Sequence, residues 1–160
     1  MEQKKNNKII YISIGIILLI IISIISIIML NSNSEKKYLE VAKRVFPQMQ
    51  EVFLDTVDIS NDLMKKILYS NEETVKSSNS YKEYVMLIDK YTSLMYKDIE
   101  YLKTHNYSKN TQLSNEIKDL IKKFEESMQN HRELKTTSYY GESEKIYTTM
   151  QELMNKINRE

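Results

Sequence analysis

The stretch IIYISIGIILLIIISIISIIML, residues 9–30, separates a short basic tail from the rest of this 160-residue chain. It holds 22 residues without a charge, and thirteen of them are isoleucine. As a helix rising about 1.5 Å per residue it would extend roughly 33 Å, enough to cross a hydrocarbon core of about 30 Å. Its apolar residues leave no polar side, unlike those of a helix at the surface of a soluble protein. The sequence therefore predicts a transmembrane helix over 9–30.

The length of this run distinguishes a retained anchor from a cleaved signal peptide. Signal peptides have an apolar region of only about 7–15 residues, followed by a small-x-small cleavage site. Here the run is longer, and the sequence that follows, MLNSNS at 29–34, contains no such site. Because the chain has no cysteine, it cannot carry a lipoprotein anchor. We interpret residues 9–30 as a signal anchor that the mature protein keeps.

Flanking charges bear on the orientation of this anchor. The tail, residues 1–8, places Lys4, Lys5 and Lys8 directly before the apolar run, whereas the first positive charge after it is Lys36. Further basic residues up to Arg44 bring the two counts close to a tie. Because positive residues favour the cytoplasmic side, the abutting cluster predicts a cytoplasmic N-terminus and an extracytoplasmic C-terminal domain in the plasma membrane.

Composition restricts the remaining 130 residues to a few classes. After residue 30 the chain has 20 Lys and Arg against 21 Asp and Glu, so no strong field attracts nucleic acid. The absence of cysteine excludes disulfides and thiolate metal sites. In the whole chain 20 Lys outnumber three Arg, and this bias, with abundant Ile and Asn, indicates AT-rich codons and a bacterial origin. One Pro and one Gly in this region disfavour a β-rich domain, which needs many tight turns.

Apolar residues recur at spacings of three and four, which predicts an all-α domain. We expect residues 31–46 to form a polar spacer and helical stalk, and Pro47 to start a first domain helix over 47–69. Ser80 and Glu83 have the spacing of a capping box, which predicts the start of a second helix. A third helix is expected from Thr111 to the Tyr140-Gly141 pair, with Gly141 as its C-terminal cap, and a short fourth helix from Ile146 to Ile157.

Similar helix lengths and short loops predict an antiparallel three- to four-helix bundle over 47–160. An extended coiled-coil dimer is the alternative architecture, although the heptads do not continue through the loops. The sequence does not determine an oligomeric state.

Motifs of catalysis and of cofactor binding are absent from the sequence. Neither His105 nor His131 has the Glu-x-x-His spacing of a di-iron site, and no Gly-rich phosphate loop or G-x-S-x-G motif occurs. His131 falls on the apolar side of the third helix and is interpreted as a core histidine. We therefore expect no enzymatic activity, no catalytic residue, no cofactor and no metal site. No stretch matches a family motif.

Tyrosine is the most unusual component of the domain, and it is concentrated on the second helix. Tyr84 and Tyr91 share a side with Ile88 and Met95, which makes them core candidates. A second series seven residues apart, Leu87, Leu94 and Tyr101, forms another apolar side of the same helix. Either a neighbouring helix covers that side, or a partner does. These three residues are the candidate interaction surface.

Two functions fit these observations. The first is a membrane-anchored protein that binds a protein partner at the extracytoplasmic surface, as an accessory, scaffold or immunity subunit. The second is a bundle that binds a small ligand or peptide between its helices. An internal pocket lined by Tyr and Met favours the second, whereas a filled core with an exposed apolar patch favours the first.

Overall fold

The computed structural model shows an all-helical chain. It describes the backbone of residues 2–135 and 139–160, and the side chains in these ranges except 2–15, 31, 57 and 139–142. The described residues form five α-helices and one 3₁₀ turn: α1 Glu2–Tyr69, α2 Glu72–Ser77, α3 Asn79–Thr104, the 3₁₀ turn Ser108–Asn110, α4 Thr111–Glu133 and α5 Tyr139–Ile157. No strand occurs in these ranges, so the predicted all-α class is confirmed.

The chain divides into two compact units, residues 1–37 and residues 38–160. In the first unit, every side chain from Ile16 to Leu30 is exposed. This part of α1 contains an 18-residue window with a mean hydropathy of 2.5, none of which is buried. By length and composition it is able to cross a membrane, a property that a signal sequence shares.

The second unit is held together by two clusters of buried apolar side chains. The main core takes residues from α1, α3, α4 and α5, and its central contact is Phe53 of α1 edge-on to Phe124 of α4, with ring centroids 5.2 Å apart. The small core lies at the other end of α3. It consists of Leu63, Val75, Tyr84, Ile88 and Leu134.

Helix α1 enters the second unit earlier than the sequence suggests. Tyr38 and Phe46 are fully buried in the main core, although both fall in the predicted stalk. The expected break at Pro47 is wrong, because α1 continues through that residue. Proline has no N–H, so the carbonyl of Lys43, four residues earlier, lacks its usual hydrogen-bond partner in the helix. Both Lys43 and Pro47 are exposed, so water can solvate that carbonyl. Burial of the side chains on the other side of α1 keeps the helix intact.

The connection between α1 and α3 differs from the expected loop. Residues 72–77 form the short helix α2, with the Asn71 side chain accepting a 2.7 Å hydrogen bond from the Thr74 amide. The N-cap of α3 is Ser78, whose hydroxyl accepts from the Tyr81 amide, so the predicted capping box at Ser80 is wrong. Val75 of α2 is buried in the small core, and the N-cap of α3 lies two residues before the predicted one.

The end of α4 also differs from the one that the sequence predicts. Its C-cap is Leu134, which adopts the left-handed conformation at φ 53°. Gly141, the expected cap, lies inside α5. Leu134 is buried in the small core, and we attribute its strained backbone to that burial.

Candidate interaction surface

Helix α3 lies against α1 with the two helices running in opposite directions. The Arg44 guanidinium donates two hydrogen bonds of 2.7 Å to the Asp98 carboxylate. Three hydrogen-bonded pairs join the two helices: Arg44 with Asp98, Asp55 with Tyr91, and Ser60 with Tyr84. As the residue number rises along α1, the number of its partner on α3 falls. These pairs place residue 55 of α1 level with residue 91 of α3.

Another side of α3 lies against α4. Arg132 and Asp89 form a salt bridge of 3.0 Å, and the Tyr81 hydroxyl donates a 2.7 Å hydrogen bond to the Arg132 carbonyl. Lys103 and Glu125 pair at 3.1 Å nearer the other end. With α1 on one side and α4 on another, the outer side of α3 is left exposed, and Tyr96 is exposed at the groove beside α4.

The three residues of the predicted surface occupy different environments. Leu94 is 67% exposed. Leu87 is half-buried, and Tyr101 is partly buried against the main core. The ring of Tyr101 also stacks on His105, with centroids 4.0 Å apart. The structure therefore leaves Leu94 as the exposed member of the series, and it gives Tyr101 a packing role.

Three further residues accompany Leu94 on the outer side of α3. Met86 is 69% exposed, and both Lys90 and Lys97 are exposed. With Leu94 they recur at spacings of four, four and three, which is one side of a helix. We call Met86, Lys90, Leu94 and Lys97 the outer stripe. The sequence contains this pattern, but a search for apolar residues seven apart passes over the lysines.

Most of the tyrosines on or beside α3 serve packing. Tyr84 is buried. The Tyr91 hydroxyl donates a hydrogen bond to the Asp55 carboxylate, and this bond is the main reason that the pKa of Tyr91 is raised to about 12. Tyr107 is buried and stacks parallel to Tyr38 at 6.4 Å. The tyrosine-rich composition is therefore largely a property of helix contacts.

A polar cluster lies between the two cores. The Tyr84 hydroxyl lies 3.2 Å from Nδ1 of His131, and it is also hydrogen-bonded to Ser60. Burial raises the pKa of Tyr84 to about 12, and the hydrogen bond with Ser60 opposes this rise with a smaller effect. Burial lowers the pKa of His131 to about 3. His131 is 1% exposed, so its interpretation as a core histidine is confirmed. It is neutral at neutral pH.

The cavities found in the second unit are open surface grooves. The groove between α3 and α4 has a volume of about 250 Å³ and is crossed by the Arg132–Asp89 salt bridge. A second groove, of about 290 Å³, lies between α4 and α5, where Lys123 and Lys145 line it. Ligand sites usually enclose most of the ligand surface. Tyr96 and Met128 do line the α3–α4 groove, but that groove is open to solvent, whereas the ligand-binding hypothesis requires an enclosed interior between the helices.

The described side chains contain no group of three or more His, Cys, Asp or Glu that could hold a metal ion. Comparison of the chain with protein-family models, curated proteins and solved structures finds no match.

Proposed function

We propose that the chain is a single-pass membrane protein, anchored by residues 9–30 with the N-terminus in the cytoplasm. The observation that carries this proposal is the full exposure of an apolar helix from Ile16 to Leu30. Leaving such a surface in water costs roughly 25 cal/mol per Å², whereas a bilayer removes the cost. The hydroxyls of Ser23 and Ser26 donate 2.8 Å hydrogen bonds to carbonyls of the preceding turn. This arrangement satisfies them without water.

In the same proposal, residues 38–160 form an antiparallel four-helix bundle outside the cytoplasm. The bundle acts without catalysis, by binding a protein through the outer side of α3. Exposed Met86 and Leu94, which alternate with lysines along α3, support this role because a partner would remove their apolar surface from water. The open grooves give the ligand-binding alternative no comparable support.

Membrane retention tests the anchor. Full-length protein should remain in the membrane pellet after carbonate extraction, and its intact mass should include the residues of the tail. A soluble product that begins near residue 31 would show a cleaved signal sequence instead.

Orientation is tested in whole cells. Because the chain has no cysteine, a single Glu73→Cys substitution, at an exposed position of α2, gives one label site. We expect it to react with a membrane-impermeant maleimide before lysis. Reaction only after lysis would place the bundle in the cytoplasm.

The binding surface is tested in native membranes with a photo-crosslinking residue. At Leu94 it should yield a discrete crosslinked protein band, and at Lys122, an exposed position on α4, it should not. Equal labelling at both positions, or none at Leu94, would contradict the proposed surface.

A further inference from the structure

The side of the second unit formed by α1 and α3 carries two stripes of opposite charge. Four exposed acidic residues of α1 recur at spacings of four, three and four, and therefore lie on one side of the helix. They are Glu51, Asp55, Asp58 and Asp62, the acidic stripe. Asp55 accepts the hydrogen bond from Tyr91 of α3, so this stripe borders α3. The outer stripe, with Lys90 and Lys97, runs along α3 itself.

These charges are largely uncompensated within the chain. Among the residues that the structure describes, Lys90 and Lys97 form no salt bridge, and in the acidic stripe only Asp62 does, with Lys65 at 3.7 Å. Met86 and Leu94, both more than two-thirds exposed, lie among the lysines. A partner that fits this surface has to present basic groups to α1, and acidic and apolar groups to α3.

We propose that this partner is a second copy of the same chain, with α1 of each copy packed on α3 of the other. The charges of the surface are their own complement in that arrangement. A two-fold axis parallel to the helices brings the acidic stripe opposite the outer stripe twice, once on each side of the axis. The 55-to-91 register then places Asp55 of one copy near Lys90 of the other, and Leu94 is buried between the helices.

The direction of the axis also agrees with membrane anchoring, and in this respect the inference rests on the proposed function. A parallel axis puts Tyr38, the first residue of the second unit, at the same end of both copies. Two chains anchored in one membrane require this. An axis perpendicular to the helices would bring acidic stripe against acidic stripe and would place the two Tyr38 residues at opposite ends.

Cysteine crosslinking in membranes tests the geometry with the full-length chain. Differently tagged copies carrying Asp55→Cys and Lys90→Cys are co-expressed and treated with a short bismaleimide. We expect the mixed pair to crosslink at least several-fold more than either copy with itself. Stronger crosslinking of Asp55→Cys with itself, or none in any pair, overturns the proposed arrangement. A Lys122→Cys copy, on α4, is the matched control and should give no product.

Charge exchange tests the recognition. The variants Glu51→Lys/Asp58→Lys and Lys90→Glu/Lys97→Glu should each self-associate roughly tenfold less, because four exposed pairs change from attraction to repulsion. Mixed with each other, the two variants are complementary again and should form the heterodimer. Failure of the mixture to associate while the native chain does so overturns the proposal.

The two levels of the proposal fail separately. If the mixed cysteine pair gives no product while the photo-crosslinker at Leu94 still captures a different protein, the second copy is the wrong partner and the proposed function stands. If the protein is not retained in membranes, the anchor fails regardless of any dimer.

Discussion

Helix α1 contains two apolar regions that have opposite fates. From Ile16 to Leu30 every side chain is exposed, although nearly all are aliphatic. From Tyr38 to Leu63 the apolar side chains of one side are buried, while Arg44, Glu51 and other charged residues between them remain exposed. The residue types overlap, so apolar character by itself does not explain the difference.

Periodicity explains it. In the second region the buried residues recur at three and four, which leaves one side for α3, α4 and α5 to cover and one side for water. In the first region apolar residues lie on every side of the helix, so no side is left for water. Four predictions for the full-length protein in mild detergent test how far this contrast extends.

The largest effect is expected in the buried region. Phe46 is 0% exposed, and Phe46→Ala should lower the free energy of unfolding by about 3–5 kcal/mol through loss of burial and the cavity left behind. Urea unfolding followed by circular dichroism measures it. Leu54→Ala is the matched control on the same helix: Leu54 is 68% exposed, and its truncation should change stability by no more than about 0.5 kcal/mol. Equal effects would show that α1 is not packed as described.

The buried polar cluster should make stability depend on pH. His131 has a pKa of about 3 in the folded protein and 6.5 when unperturbed. Between these two pH values the unfolded chain binds a proton that the folded chain does not. The free energy of unfolding therefore rises with pH in this range, and it decreases as the pH falls below 6.5. At about 1.4 kcal/mol per pKa unit, the loss at pH 5 is about 2 kcal/mol.

This pH effect is measured as the difference between native and His131→Gln proteins in urea unfolding at pH 7 and pH 5. The variant should lack this part of the acid destabilisation because glutamine does not titrate. His105→Gln, at an exposed position, is the control and should retain it. Identical pH profiles for native protein and His131→Gln would contradict a neutral, buried His131.

A smaller effect on stability is expected at the N-cap of α3, which is Ser78 in the structure and Ser80 in the prediction from sequence. Ser78→Ala removes the acceptor of the Tyr81 amide and should cost about 1 kcal/mol. Ser80→Ala, already inside the helix, should be close to neutral or slightly stabilising, because alanine has the higher helix propensity. The two urea midpoints measure this, and the opposite order would restore the capping box at Ser80.

The smallest effect on stability is expected at the proposed surface. Leu94→Ser should change the unfolding free energy by no more than about 0.5 kcal/mol, because Leu94 is 67% exposed. The same change should abolish the crosslinked product of the Asp55→Cys and Lys90→Cys copies. Tyr101→Ser, at a partly buried position, should destabilise the protein measurably more. A large loss of stability from Leu94→Ser would return this residue to the core.

The candidate surface was only partly predictable from sequence. Spacing correctly identified Tyr84, Ile88 and Met95 as core residues of α3, whereas Tyr91, predicted with them, is only partly buried against the main core. The same spacing placed Leu87, Leu94 and Tyr101 on one side, but it does not indicate which neighbour reaches that side. Half-burial of Leu87 and packing of Tyr101 depend on how closely other parts of the unit approach, which is a tertiary property.

The sequence by itself determined the helical class, the apolar helix near the N-terminus and the inward side of each long helix. These follow from local quantities: helix propensity, the scarcity of Gly and Pro, and the period of apolar residues. Tertiary structure alone decided that α1 continues through Pro47, that Ser78 caps α3, and that Leu134 rather than Gly141 ends α4. In each case burial of neighbouring side chains outweighs a local preference. A single proline or cap contributes about 1–3 kcal/mol, and several buried side chains contribute more.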